Sequence, residues 1–440
     1  MRCQGLVQTL GGVLPMLAAC ASPSQGSGAH PRDTDSQPVA APSVDAPRSG
    51  EPGAALLAVE PGQGFVGLRA TADGWSALWQ DTRAAGSPRL VERTISSAGQ
   101  GQPRPVAPLG GPCEHGVPAG GAAGKKAPSV ACVHGDQVRE YGDSGTPSPR
   151  TWTVPEHHAS AVATRLAYRP TSSPVGVVAW TAVAQEQAEH VCFAEGEEEV
   201  CAWETKGGRT RLLATVLSPE GTATATHPLT TWQPKGRLDA LDIAVAESGP
   251  ASVLWLESGA GVPAVLHAAG VGPKGLEARV QQVVPAPFVS SLGVVRSASG
   301  AVWMAMLAPA AEGRPGRVGV IGFEHDGRVA EPRMLRATVV WPYSAKVLEC
   351  AGELWLVYVG FSQTRHLELR AAALTPTGAD LLPPLWTGET PVPEGAAGLN
   401  TDLEFSAACS GDRAAVAGEL YSAQGKQLLF ADWVAERPSP

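Results

Sequence analysis

The chain has 440 residues, 43% of them apolar and 17% charged, and its 51 glycines and 39 prolines together make up about a fifth of it, above ordinary usage but below the range of low-complexity disorder. Thirty-three Lys and Arg against 42 Asp and Glu give a net charge of −9, a balance that speaks against nucleic acid and against a polybasic grip on membranes. A mean hydropathy of −0.03 and the lack of any apolar run of about 18 residues exclude a multi-span membrane protein.

Residues 1–19 read as an export signal: Arg2 precedes the moderately apolar stretch from Gly5 to Leu17, and Leu17-Ala18-Ala19-Cys20 closes it. The stretch is too short and too interrupted by glycine to be a stable span. Leu17–Cys20 resembles the bacterial lipoprotein signal, which is cut before the cysteine. The resemblance implies that Cys20 carries the lipid, through a thioether and an acylated amine, and that the protein is exported and held at a membrane. Ala21 follows the cysteine. By resemblance to the sorting signal of enteric bacteria, that residue favours the outer over the inner membrane. Residues 21–52 are rich in Ser, Pro, Ala, Gly and Asp, with almost no apolar bulk, and cannot offset the entropy of ordering. Residues 20–52 are thus expected to form a lipidated tether, with an r.m.s. reach of roughly 30 Å.

From residue 53 to 435 the chain repeats with a period near fifty residues. Gly249, Gly300, Gly352 and Gly411, each ahead of an apolar run, are spaced by 51, 52 and 59 residues. Gly221, Gly275, Gly327 and Gly378, each after another apolar run, are spaced by 54, 52 and 51. Two markers keeping one period point to a repeat architecture. Second strands are expected at Ala77–Trp79, Val177–Trp180, Val253–Trp255, Val302–Met304 and Leu354–Val357. Third strands are expected at Leu90–Ile95, Arg211–Leu217, Ala264–Ala269, Arg317–Phe323, His366–Leu374 and Gln427–Trp433. Short runs that are apolar on both faces and bounded by turn residues indicate strands buried on both sides.

Four short strands per unit predict an all-β fold, a β-propeller of seven blades with four antiparallel strands each, six being the alternative count because the second unit is short and irregular. The expected turns lie near Gly74, Gly135, Pro174, Gly249, Gly300, Gly352 and Gly411. The last unit ends after its third strand, and Ala54–Val59 is free to supply the missing outer strand and so protect an open edge. Residues 436–440 are expected to form a disordered tail. The units resemble the degenerate blade repeats of exported bacterial propeller lipoproteins, Gly74–Arg83 (GWSALWQDTR) being the clearest instance.

Apart from Cys3 and Cys20, six cysteines remain: Cys113, Cys132, Cys192, Cys201, Cys350 and Cys409. An even set in an exported chain reads as disulfides. Of fifteen possible pairings, the expected one is Cys113–Cys132, Cys192–Cys201 and Cys350–Cys409. Cys350 and Cys409 each stand two residues before a turn glycine and so belong at equivalent turns of neighbouring blades.

The most individual feature is an insertion at about 185–208, where Glu195, Glu197, Glu198 and Glu199 lie between Cys192 and Cys201, which would staple the insertion's base. It reads as a candidate acidic binding loop. A metal site from His190, Cys192 and Cys201 falls short of four clear ligands, and oxidised cysteines do not coordinate. His157-His158 reads as a surface connector. Asp73, Asp81 and Arg83 flank the first unit's second strand, where an Asp more often caps a turn through nearby backbone than does catalysis. No phosphate loop, nucleophile elbow or His-Glu-x-x-His motif occurs, and no cofactor or metal is expected. The expected role is a non-catalytic binding or scaffold propeller at the cell envelope, monomeric in its body, with an envelope protein as partner and a polysaccharide as second choice. The alternative is a polysaccharide hydrolase or lyase working through acidic residues at the channel.

Overall fold

The computed structural model describes residues 53–72, 74–83, 88–109, 111–119, 129–141, 147–155, 164–169, 175–184, 187–195, 198–206, 208–218, 226–234, 238–245, 250–259, 262–272, 275–283, 294–296, 301–308, 316–323, 330, 333–335, 341–375, 378–388, 405–422 and 425–435. All lie in the compact unit formed by residues 48–440. The expected signal, tether and tail therefore lie outside the described residues, as do His157, His158, Asp73 and Glu197.

The described residues form strands and turns, and their antiparallel sheets make a β-propeller. The first blade is built from Gln63–Thr71, Gly74–Asp81, Arg89–Ser96 and Gly99–Gln100, with Arg104–Pro108 on the same outer edge. The second is His115–Ala119, Ser129–His134, Gln137–Tyr141 and Pro147–Thr153. The third is Thr164–Arg169, Val175–Ala184, Arg209–Leu217 and Thr226–Pro228, with Gln233–Pro234 beside its third strand. The fourth is Leu238–Ala244, Ala251–Gly259, Val262–Gly272 and Gly275–Val283. Val294–Arg296, Val302–Ala308, Arg317–Phe323 and Arg333–Leu335 make the fifth. Trp341–Cys350, Glu353–Phe361, Leu367–Thr375 and Gly378–Leu381 make the sixth, with Trp386–Thr387 added. In the seventh, Phe405–Ser410, Arg413–Ser422 and Gly425–Val434 are completed by Gly53–Ala58 from the other end of the chain. The first strands of these sheets stand side by side in a closed cycle.

Strand periodicity explains why these segments are apolar on both faces. In Glu353–Phe361, Trp355, Val357 and Val359 pack on the seventh blade, while Leu356 and Tyr358 pack on the fifth. Each blade-to-blade seam has its own apolar cluster, so the core is distributed around the ring. Six tryptophans (Trp79, Trp152, Trp180, Trp255, Trp355 and Trp433) are among the largest fully buried side chains, and Trp355 meets Trp433 edge to face at 6.0 Å between centroids. Such pairs add about 0.5–1.5 kcal/mol beyond area burial.

The closing strand pairs over its whole length, from Gly53 opposite Asp432 to Ala58 opposite Gln427. A Cβ at Gly53 would come within 2.8 Å of Asp432 Oδ1 and Ser97 Oγ, which is why the strand can begin with glycine there. Gly74, Gly352 and Gly411 form first-to-second-strand turns and adopt positive φ. The second unit departs from the expected phase. Gly135 joins its second and third strands, so the second strand is Ser129–His134 and the irregular unit is shifted by one strand. Turn glycines mark a turn but not its rank within a blade.

Candidate functional site

The insertion is an antiparallel hairpin that forms its own two-stranded sheet rather than a loop: Gln187–Glu195 pairs with Glu198–Lys206. It leaves the third blade between its second and third strands, where Ala184 pairs with Arg209, and spans about 27 Å at strand geometry. Connections of that rank lie on the opposite rim from the turns at Gly74, Gly275, Gly352 and Gly411. The register sets Cys192 opposite Cys201, six pairs from the base and three beyond it to the tip. The cysteine pair therefore sits mid-hairpin and not at the base, because the symmetric pairing of Glu195 with Glu198 centres the hairpin on residues 196 and 197.

Gln187–Lys206 holds six Glu and one Lys, a net −5 within a chain of net −9. The same register sets Glu195 opposite Glu198, Glu189 opposite Glu204, and Glu199 opposite Ala194. Like charges directly across a strand pair are unfavourable. The register thus places two pairs of like-charged residues at directly opposite positions along the hairpin.

Two disulfides are formed among the described residues. Cys113–Cys132 lies within the second blade's apolar seam with the first, and Cys350–Cys409 joins turns of the sixth and seventh blades. Both match the expected pairing.

Asp81 is a turn cap and an ion-pair partner. Its carboxylate accepts the Arg83 backbone N–H at 3.0 Å and both Arg83 Nε–H (3.0 Å) and Nη2–H (2.8 Å). Arg83 also pairs with Glu60, which accepts from Arg93 at 3.0 Å. Hydrogen bonds from the Arg83 side chain, opposed by burial, hold the Asp81 carboxyl down to about 2. A carboxyl depressed in the folded state contributes stability that is complete above its unfolded pKa near 4 and is lost as pH falls toward 2. Asp81→Asn is expected to cost about 1 kcal/mol at pH 7, since Arg83 is partly exposed, and clearly less at pH 2, where about half of the folded carboxyl is protonated. Urea unfolding of both proteins at pH 7 and pH 2 checks this; an equal loss at both values refutes it.

A second polar group, on the first blade's face toward the second, escaped the sequence reading. Glu92 accepts from Arg69 Nε at 2.7 Å and is bonded by Ser76 and Arg104. Burial works against its charged form, yet the hydrogen bonds from Ser76, Arg104 and Arg69 outweigh burial, and its pKa is lowered. At the seam of the third and fourth blades, Glu257 accepts from Gln233 and from the Trp255 indole, both at 2.9 Å. His267 stacks on Trp255 at 5.0 Å between centroids and lies 3.5 Å from Glu257. The one local hint was that Trp255 and Glu257, two apart in a strand, share a face. Among the described residues no group of three or more His, Cys, Asp or Glu could hold a metal ion. Nor, among these residues, is any helix long and apolar enough to cross a membrane.

No family model matches the chain, and no curated protein does. Solved structures similar to it include three proteins at low identity. The hemagglutinin-neuraminidase ectodomain of parainfluenza virus 5 shares 9% identity at a TM-score of 0.37, covering 61% of this chain and 69% of that one. An endo-arabinase from Bacteroides thetaiotaomicron shares 11% at 0.32, covering 58% and 96%. A mutant of the Aleuria aurantia lectin in complex with alpha-methyl-L-fucoside shares 10% at 0.37, covering 79% and 97%. No residue's role is carried over from them.

Proposed function

We propose that this protein is a lipid-anchored binding propeller of the cell envelope. In this reading the hairpin Gln187–Lys206 is its recognition arm and a basic surface of another envelope protein is its partner. The observation that carries the reading is the register that sets Glu opposite Glu at two positions of an arm of net −5. Sequences keep such local conflicts mainly where function offsets them, and a cationic partner surface would relieve the repulsion. Anchoring through Cys20 follows from the resemblance to lipoprotein signals, and the ring supplies a rigid frame from which a connection can recognise a partner.

The test is crosslinking in intact cells followed by affinity purification and mass spectrometry. It compares the natural chain, Cys20→Ser, and a variant lacking residues 187–206. That deletion leaves four residues to join Ala184 to Arg209, enough for a tight connection. The expected result is one specific envelope protein, captured less by Cys20→Ser and not by the deletion variant. Its capture should weaken as salt rises from low to physiological strength, as exposed charge pairing does. Capture that is indifferent to the deletion would remove the hairpin from the reading. A Cys20→Ser protein that still fractionates wholly with membranes would remove the anchor.

A further inference from the structure

The seam between the third and fourth blades opens into a small polar cleft one to three residue pairs below the root of the hairpin. Thr181, Thr210, Arg211, Leu212, Thr230, Gln233 and Leu238 line it. Register and burial explain the chemistry. Thr181 pairs with Leu212 and Thr210 with Val183, so both threonines share the blade face that Val177 and Ala179 turn to the fourth blade. Thr181 is 3% exposed, and its buried hydroxyl has no protein hydrogen-bond partner. Thr230 Oγ1 accepts the Leu212 backbone N–H at 2.9 Å and keeps its own proton to donate. Gln233 spends its amide N–H on Glu257 of the fourth blade, which leaves its carbonyl oxygen as an acceptor.

We infer that this cleft is a binding site for one ordered water, held by polar groups of the third blade at its seam with the fourth. The space admits one water-sized body, and a buried water needs two to four polar partners. Three hydroxyls and an amide carbonyl supply both donors and acceptors. A β-branched threonine is an unfavourable choice for an apolar seam unless its hydroxyl is used, because an unmet buried hydroxyl carries a desolvation cost. The water continues the chain of hydrogen bonds Gln233–Glu257–Trp255 across the seam. It thereby ties the second, third and outer strands of the third blade together below the root of the hairpin, next to the Gln233–Glu257 bond that crosses the seam.

Thr181→Val gives effects of opposite sign for a wet and a dry cleft, because valine keeps the shape and removes only the hydroxyl. A bridging water that loses this partner leaves its other partners poorly met, and the full-length protein should unfold about 2–4 °C lower. Thr181→Ser, which keeps the hydroxyl, should retain the water, seen as a long-lived water in NMR cross-relaxation that Thr181→Val lacks. A melting temperature that rises or stays unchanged in Thr181→Val would show that the hydroxyl is buried dry and would overturn the inference. So would the absence of a long-lived water in Thr181→Ser and the natural chain alike. Neither readout involves a partner protein, so failure here leaves the recognition arm standing, and loss of that reading leaves this one untouched.

Discussion

Replacing Cys350 and Cys409 together with alanine is expected to lower stability by about 4 kcal/mol. The bridge spans 59 residues of chain, and closing a loop of that length in the unfolded ensemble removes about 4 kcal/mol of entropy at 25 °C in the chain-entropy model. It joins the sixth and seventh blades where Cys350, 1% exposed, stands beside the turn Ala351-Gly352, both in the left-handed region. For a body of this size the midpoint of thermal unfolding should fall by about 5 °C. Differential scanning calorimetry of the oxidised protein and the double variant measures it. The Cys113–Cys132 bridge closes only 19 residues, and its loss should cost about 3 kcal/mol. A larger loss from the shorter loop would mean that local packing, and not chain entropy, sets the scale.

The second large effect concerns the strand that closes the ring. Leu57→Ala is expected to cost about 2–4 kcal/mol, while Leu56→Ala, its neighbour in the same strand, should cost under about 0.5 kcal/mol. Leu57 is 5% exposed in the seam of the seventh and first blades, whereas Leu56 is 39% exposed on the outer side. Urea unfolding of the two variants checks the contrast. Removing residues 53–58 altogether would bare the edge of Gly425–Val434 over six paired positions and leave an apolar template for another chain. That variant should associate in solution, by light scattering, and a synthetic peptide of the sequence Gly53–Ala58 should reverse it. Equal losses from Leu56 and Leu57 would show that the strand is not held in this register.

The seam closed by this strand is also held by polar contacts that no local pattern announces. Glu419 accepts the Phe65 backbone N–H, and Ser406 Oγ accepts that of Leu68 at 2.8 Å. Lys426 reaches the Gln63 carbonyl at 3.2 Å, and the Trp75 indole N–H reaches Asp432 at 3.3 Å. The partners in these contacts are more than 330 residues apart in the chain. Such pairings join the first and last blades, while β-strand patterning reports only on neighbours two residues away.

Much of the architecture is legible in the amino-acid sequence. The fifty-residue period, the second and third strands of most units, the closing strand, the insertion bounds and two cystine pairings all stand on the sequence. The reason is physical: a blade packed between two others must be apolar on both faces, and its turns need residues that tolerate positive φ. Those demands act residue by residue and leave a readable periodicity. Tertiary structure alone decided which strand of the second unit Gly135 ends, and that the insertion is a centred hairpin with its cysteines in mid-span. It also decided that Asp81 belongs to an ion-paired seam, and that Thr181 meets Gln233 across a polar cleft. These outcomes depend on which face meets which neighbour, a long-range choice with no period of its own.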